Sequence, residues 1–203
     1  SCDAPTRLLV ERSCYDEVVE IARCAAEATA VGNPEEEGDH IGPLFDQIQF
    51  ERGLNMIHVG IDEGATLLVG GLGRPEGFDV GWYVRPTVFS DVNNTMRIAQ
   101  EEIFGPVLVI IPFDDEEAAV EIANDTPYGL AAYVQTGSPE RAARLSRSLR
   151  AGAVHINGGA YEYGSPFGGY KASGNGREGG EMGLEDFLET KMVHGLAQAP
   201  RRV

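Results

Sequence analysis

The 203-residue sequence lacks the features that mark several large classes of protein. No apolar run approaches the roughly 18 residues that a membrane span needs, and no charged-then-apolar leader opens the chain. Acidic residues outnumber basic residues by 32 to 16, and the formal net charge of −16 leaves no basic stripe that could displace counterions from a nucleic acid. An anionic membrane surface is disfavoured for the same reason. We therefore expect no nucleic-acid partner, no membrane partner and no signal peptide.

Cysteine and histidine are too few and too scattered for the sites that they commonly build. The three cysteines, an odd number, do not make a disulfide framework, and reduced thiols in a cytoplasmic protein fit better. The four histidines have no metal-ligand spacing, and no Cys-x-x-Cys occurs, so no metal is expected. Cys14 precedes a predicted helix and Cys24 lies in its middle, and small buried thiols are the simplest interpretation of both. His155 alternates with apolar neighbours and is expected to be a packed or edge residue of a strand.

What the sequence does contain is an alternation of two apolar patterns. Short β-like runs are separated by segments with helical spacing, an order typical of βαβ units. The predicted strands cover 7–10, 66–69, 83–89, 107–113, 131–136 and 153–157. Residues 107–111 are all apolar, as expected for a strand that is buried on both faces. We predict one α/β domain over residues 1–203, with a mostly parallel sheet and helices on both of its faces.

Starting signals predict most of the helices. Ser13 followed by Asp16 resembles a capping box, and a helix with carboxylates at 114–117 should stop near 124–127. Ser138 is a predicted N-cap with Pro139 at the first helical position of a helix that runs to about 150. The apolar residues of the first helix recur at helical spacing and are Val18, Ile21, Ala22, Ala25 and Ala28. The remaining helices are predicted over about 45–63 and 178–188.

Two loop segments could carry chemistry. Residues 174–179 (GNGREG) match the pattern G-x-G-x-x-G, but a loop rather than a strand precedes them, so a structural glycine loop is the better interpretation. Glu101 and Glu102 stand just before the apolar strand, ahead of a Phe-Gly-Pro turn. A carboxylate held by such a turn could accept hydrogen bonds from sugar hydroxyls, although exposed acidic loop residues are the simpler interpretation. Residue types alone do not single out Cys2, because terminal cysteines are often incidental.

Several motifs together resemble those of the aldehyde dehydrogenase superfamily. Residues 101–107 (EEIFGPV) are similar to a signature of that family, and 85–92 (RPTVFSDV) are similar to the stretch that usually precedes it. Residues 166–178 (PFGGYKASGNGRE) resemble the C-terminal substrate loop, and 151–158 fit the strand before it. Residues 1–2 resemble the end of the nucleophile motif Gly-Gln-x-Cys. The match covers nearly the whole chain, in order and with family-like spacing.

The resemblance implies covalent catalysis with a nicotinamide cofactor. The Cys2 thiolate would attack an aldehyde carbon to form a thiohemiacetal, and the backbone N–H of Cys2 would hold part of the oxyanion. Hydride would pass to NAD or NADP, and water would release the acid from the remaining thioester. Glu102 would bind the nicotinamide ribose hydroxyls, and Phe104 would pack beside the nicotinamide end.

The resemblance also implies an aldehyde site and leaves the last step open. Phe167 would line the aldehyde tunnel, with Tyr161 and Tyr163 near its mouth. Oxidation to a carboxylic acid is the leading interpretation. A second one ends in transfer of the acyl group to coenzyme A and differs only in how the thioester is released. A third treats the chain as a non-catalytic binding or structural module.

Parts of the family pattern do not occur in these 203 residues. The cofactor-binding domain, the general-base glutamate, the asparagine of the oxyanion hole and the oligomerisation hairpin all belong to the half of the family pattern that precedes this segment. We therefore expect the chain alone to be inactive as a dehydrogenase, with most of the cofactor site in the absent domain. Residues 189–193 (ETKMV) resemble the strand that joins the hairpin, and the full-length protein is expected to be a homodimer or homotetramer.

Overall fold

The computed structural model describes residues 1–195, which form alternating strands and helices. The strands are β1 (Arg7–Glu11), β2 (Ala30–Val31), β3 (His40–Ile41), β4 (Thr66–Val69), β5 (Thr87–Ser90), β6 (Val107–Phe113), β7 (Ala131–Val134) and β8 (Ala153–Ile156). The α-helices are α1 (Tyr15–Ala28), α2 (Gln47–Asp62), α3 (Arg97–Gln100), α4 (Glu116–Asn124), α5 (Pro139–Ser148) and α6 (Gly180–Glu185).

The largest sheet has four strands in the order β1-β6-β5-β4. Strand β6 pairs in parallel with both β1 and β5, whereas β4 joins the edge antiparallel to β5. Two smaller parallel pairs, β2–β3 and β7–β8, lie outside this sheet. Neighbouring parallel strands need long crossovers, and helices supply most of them here. The predicted α/β fold with mostly parallel strands is confirmed, although the strands divide into three sheets.

Helices cover both faces of the large sheet because side chains of its central strands alternate in direction. Val88 of β5 and Ile110 of β6 are buried in a cluster with α1. Their neighbours Phe89, Val109 and Ile111 belong to the opposite cluster, which includes α2. An all-apolar strand is what burial on both faces requires, and this part of the prediction is confirmed.

Side-chain caps fix the starts of three helices. Asp46, Asp115 and Ser138 each accept the backbone N–H three residues later, at 2.8–3.2 Å, which satisfies one of the free donors of the first turn. Pro139 follows Ser138 at the first helical position, where no N–H is needed. The predicted start of α5 is confirmed, whereas Asp115 caps α4 instead of lying in its first turn as the sequence predicts.

Helix α1 departs from the prediction at its start. Ser13 lies in the 3-10 turn Arg12–Cys14, and its hydroxyl donates to the Glu11 carboxylate instead of accepting a helix N–H. Helix α1 begins at Tyr15 without a side-chain cap, so the predicted capping box is wrong.

The buried face of α1 also differs from the predicted one, and so does the exposure of the cysteines in and beside this helix. The residues that pack on the sheet are Tyr15, Val18, Val19, Ala22 and Ala26. Cys14 and Cys24 are exposed, so the prediction of buried thiols is wrong. Ile21 faces outward as well, with 59% of its surface exposed. Two apolar stripes share this helix, and spacing alone does not tell which one faces the sheet.

Other boundaries shift for local reasons. Strand β5 begins after Pro86, which has no N–H to donate to a ladder. Helix α6 begins at Gly180, after Gly179 with a positive φ of 79°, and it ends at Glu185, so it is shorter than the predicted 178–188 at both ends. Residues 189–193 form no strand within the described chain, and the hairpin that such a strand would join is not in this sequence, so that expectation stays a prediction. Between residues 1 and 195 no helix combines the length and apolar character needed to cross a bilayer.

Candidate active site

Two of the predicted site segments lead into neighbouring strands of the large sheet from the same edge. Strands β1 and β6 are parallel neighbours, with Arg7 opposite Val109. Segments that precede the amino ends of parallel neighbours therefore start from one edge. Cys2 precedes β1, and Glu102 and Phe104 precede β6. The sheet topology thus brings the predicted nucleophile and the predicted cofactor-binding turn to a common edge.

The exposed Cys2 segment is attached to the neighbouring β7–β8 pair. Tyr133 of β7 donates its hydroxyl to the backbone carbonyl of Asp3 at 2.8 Å. The Tyr133 ring stacks on His155 of β8, with ring centroids 4.8 Å apart. Burial, and then the nearby Asp3 and Cys2, raise the pKa of Tyr133. The Tyr133 hydroxyl therefore keeps its proton at neutral pH and remains a donor to the segment that carries Cys2.

A cleft of about 450 Å³ opens beside Asp3, large enough for a small organic molecule. Tyr161 and Phe167 contribute an aromatic wall, with ring centroids 6.4 Å apart and ring planes at 76°. Tyr163 is fully exposed and does not line this cleft. The other lining residues come from β7, from β8 and from the segment just before α6, and they are Ala131, Ala153, His155, Glu178 and Gly179.

Backbone contacts shape the loop that carries Phe167. Phe167 and Glu178 exchange two backbone hydrogen bonds of 2.7 Å, which close the loop over 167–178. Gly152 lies so close to the loop that an added Cβ would sit 1.6 Å from the Gly168 carbonyl oxygen, and no side chain fits there. The glycines of 174–179 belong to this loop, which a strand does not precede, as predicted.

The adjacent carboxylates Glu101 and Glu102 have different surroundings. Glu101 forms an ion pair with Arg97 at 2.6 Å, and the hydrogen bond from Arg97 lowers the pKa of Glu101. The Glu102 carboxylate has no ion-pair partner within residues 1–195, while its backbone carbonyl accepts a hydrogen bond from Arg52. Of the two acids, Glu102 is the one whose carboxylate is available to a ligand.

Phe104 completes the turn in an unusual conformation. Its φ of 57° is left-handed, a region that bulky residues seldom adopt, and 50% of its surface is exposed. Gln49 of α2 donates to the carbonyls of Ile103 and Phe104, at 2.6 and 3.0 Å, and so fixes the turn. A turn with a fixed backbone that carries an available carboxylate and, two residues later, an exposed aromatic ring suits the hydroxyls and the flat ring of a nicotinamide nucleoside.

Comparison with known proteins identifies the class. The model of the aldehyde dehydrogenase family matches residues 1–193. The chain therefore belongs to the aldehyde dehydrogenase family, as its motifs predict.

Individual relatives are similar over nearly the whole chain. A 3-succinoylsemialdehyde-pyridine dehydrogenase from a Pseudomonas species is 52% identical over 195 residues, which is 96% of this chain. A mutant of aldehyde dehydrogenase C from Pseudomonas syringae, solved with NAD+ and octanal, has a TM-score of 0.95 and 50% identity over 98% of the chain. An aldehyde dehydrogenase from Mycobacterium tuberculosis, solved with NAD+, has a TM-score of 0.92 and 48% identity over 97%. The chain spans 41% of the length of each of these three proteins.

The sequence does not predict several residues that line the cleft or contact the segment beside it. His155 is half-buried, as predicted, but it also lines the cleft, and Tyr133 and Glu178 are not anticipated at all. Tyr133 and His155 face each other across the β7–β8 pair, in register. Their relation to Cys2 depends on contacts across about 130 residues of sequence, which no local pattern encodes. Within the described chain, no group of three or more His, Cys, Asp or Glu side chains could hold a metal ion.

Proposed function

We propose that residues 1–203 are the catalytic domain of an NAD(P)-dependent aldehyde dehydrogenase and act together with a cofactor-binding domain that is not in this sequence. The observation that carries the proposal is the position of the Cys2–Asp3 segment beside an aromatic cleft, at the sheet edge that also bears Glu102. The two domains together make up the proposed longer chain, the complete protein. It is proposed to be a homodimer or homotetramer.

Cys2 is the proposed nucleophile. Its thiolate adds to the aldehyde carbon, which breaks the C=O π bond and gives a thiohemiacetal alkoxide. The backbone N–H of Cys2 is suited to donate to that oxygen, as one member of an oxyanion site. The thiol is exposed, so an aldehyde in the neighbouring cleft has access to it.

Glu102 and Phe104 are the proposed cofactor contacts of this chain. The Glu102 carboxylate would accept hydrogen bonds from the ribose hydroxyls, and the exposed Phe104 ring would pack beside the nicotinamide end. When bound, NAD or NADP supplies the acceptor for the hydride that leaves the thiohemiacetal carbon. Cys2 then carries a thioester, and attack by water releases the carboxylic acid and restores the thiolate.

The cleft is the proposed aldehyde site. Phe167 and Tyr161 would bury the organic part of the aldehyde against aromatic rings, while Asp3 places the neighbouring Cys2 at the cleft. Two similar proteins point to organic aldehydes of this kind: one is named for a pyridine semialdehyde and one was solved with octanal. We propose an uncharged or aromatic aldehyde as the class of substrate.

The complete protein tests the proposal when it is incubated with octanal or benzaldehyde and either nicotinamide cofactor. We expect reduction of the cofactor, one carboxylic acid formed per hydride transferred, and no such activity from residues 1–203 alone. A product found only as an acyl thioester of added coenzyme A would favour the acyl-transfer alternative. Binding of neither cofactor by the complete protein would favour the non-catalytic module, and an active isolated chain would contradict the proposed division of labour.

A further inference from the structure

The carboxyl end of α4 meets an unusual number of hydrogen-bond donors from distant parts of the chain. A helix leaves its last carbonyls without intrahelical partners. Here all six backbone carbonyls of 122–127 accept hydrogen bonds from outside the helix. The donors come from three separate segments, and each segment carries a predicted site residue.

The first donor is Arg7, which lies five residues after Cys2. Its guanidinium donates to the carbonyls of Ile122 and Ala123, at 3.0 and 2.9 Å, and to the Asn94 side chain at 2.7 Å. A cation at the carboxyl end of a helix is favoured by the helix dipole. Arg7 thereby attaches the start of β1, and with it the Cys2 segment, to the end of α4.

The second set of donors comes from the segment that precedes Glu102. The side chains of Asn94 and Gln100 both donate to the Asp125 carbonyl, at 2.8 Å each. Gln100 lies two residues before Glu102 and also donates to the Asn94 carbonyl at 2.7 Å. Asn94 is buried, with 8% of its surface exposed. These two amides attach the turn that carries Glu102 to the same end of α4.

The third donor is Lys171, four residues after Phe167. Its ammonium donates to the carbonyls of Asn124 and Thr126, at 2.7 and 3.1 Å. The backbone N–H of Ala172 adds a hydrogen bond to the Pro127 carbonyl at 2.9 Å. Burial, followed by the positive charges of Arg150 and Arg7, lowers the pKa of Lys171, so the ammonium is held here against an electrostatic cost. The substrate loop is thus attached beside the other two segments.

We propose that the carboxyl end of α4 is the common anchor that sets Cys2, Glu102 and Phe167 relative to one another, and that Lys171 is the positioning residue for the aldehyde cleft. This inference rests on the proposed function for the meaning of the three residues. Lys171 is 45 residues or more in sequence from the carbonyls that it contacts, and it does not line the cleft. Its effect on the aldehyde passes through the position of the loop.

The sequence offers a matched control for a test of Lys171. It contains only two lysines, and Lys191 is exposed. In the complete protein, Lys171→Met keeps the length of the side chain but removes the charge and the donors. We expect backbone amides of 167–173 to exchange with deuterated water about tenfold faster in Lys171→Met, the scale of one lost hydrogen bond to a charged group, and to be unchanged in Lys191→Met. Unchanged exchange in both variants would overturn the anchor.

Kinetics separate positioning from a general structural role. We expect Lys171→Met to raise the KM for the aldehyde about tenfold while the KM for the nicotinamide cofactor stays within about twofold. Equal increases in both constants, or no increase in either, would overturn the positioning role. If the unsubstituted complete protein oxidises no aldehyde, the proposed function fails, while the exchange experiment still decides the anchor.

A measurement on the unsubstituted protein covers the case in which Lys171→Met does not fold. Reductive methylation followed by peptide mapping gives the modification rates of the two lysines in one sample. We expect Lys171 to react at least about tenfold more slowly than Lys191, because its engagement by two carbonyls outweighs the larger neutral fraction that its lowered pKa gives. Equal rates would overturn the proposed attachment.

Discussion

The centre of the large sheet and the segments around the cleft are built by different forces. Phe89 and Ile110 are completely buried between two layers of helices, and their positions are fixed by close packing. Cys2, Phe104 and Tyr161 are exposed, and the segments that carry Cys2 and Phe104 are held by a few hydrogen bonds from the side chains of Tyr133 and Gln49. The stability of the scaffold and the geometry of the site therefore depend on different residues. Substitutions in the two regions should change different measured quantities.

The largest expected effect is the loss of activity on removal of the nucleophile. In the complete protein, Cys2→Ala should lower kcat/KM for an aldehyde by roughly 10³-fold or more, because none of the described residues that line the cleft carries another thiol. The midpoint of urea unfolding should not change, since the thiol is exposed. Cys14→Ala and Cys24→Ala are the matched controls and should retain full activity. An active Cys2→Ala variant would assign the chemistry elsewhere.

The sheet centre should show the opposite behaviour. Ile110→Ala removes a side chain that is completely buried between α1 and the sheet, and it should lower the free energy of unfolding by about 2–5 kcal/mol. Urea titration of the purified chain measures the change. Ile21→Ala makes the same substitution at an exposed position of α1 and should stay within about 0.5 kcal/mol. Similar losses for the two variants would mean that the buried face of α1 is misassigned.

The adjacent acids Glu101 and Glu102 allow two carboxylates of one turn to be compared directly. In the complete protein, Glu102→Gln should reduce the rate of hydride transfer about tenfold, because loss of a charge-assisted hydrogen bond costs about 1–2 kcal/mol and misplaces the nicotinamide ring. A deuterated aldehyde should then give a larger isotope effect than in the unsubstituted protein.

Glu101→Gln is the control for that experiment. It removes only the exposed ion pair with Arg97, which is worth about 0.2–1 kcal/mol of stability, and it should leave the isotope effect unchanged. Equal effects of the two substitutions would contradict the assignment of ribose binding to Glu102.

The smallest expected effect concerns the two tyrosines of the loop. Tyr161→Ala removes an aromatic wall of the cleft and should raise the KM for an aromatic aldehyde several-fold in the complete protein, with kcat much less affected. Tyr163→Ala removes a ring that is fully exposed and should change the KM by less than about twofold. A larger effect of Tyr163→Ala would mean that this loop closes over the substrate in a different arrangement.

Local sequence patterns account for much of the scaffold. The all-apolar run of β6 and the Ser138–Pro139 start of α5 predict these elements almost to the residue, and the acidic run 114–117 places the start of α4 within two residues. Burial, capping and the helix dipole act over a few neighbouring positions. Local patterns fail at α1, where two apolar stripes compete, and at β2 and β3, whose two residues each are too few to form a pattern.

The site is harder to predict from the sequence than the scaffold, because its contacts join residues that are far apart in the chain. The family motifs point to Cys2, Glu102 and Phe167, but they do not predict that Tyr133 holds the Cys2 segment or that Lys171 reaches the end of α4. Exposed loop residues carry no periodic signal, and their partners are set by the topology of the sheets. The same reason explains why Tyr161 and Tyr163, two residues apart, differ so much in exposure.

The most direct test of the account is to trap the acyl group on Cys2. The complete protein is mixed with an aldehyde and nicotinamide cofactor, quenched with acid during turnover, and digested for mass spectrometry. We expect the peptide with Cys2 to gain the mass of the aldehyde less two hydrogens, which is the mass that an acyl group adds when it forms a thioester. The peptides with Cys14 and Cys24 should be unchanged. Acid product formed with the acyl mass on another cysteine, or on none at any quench time, would contradict it.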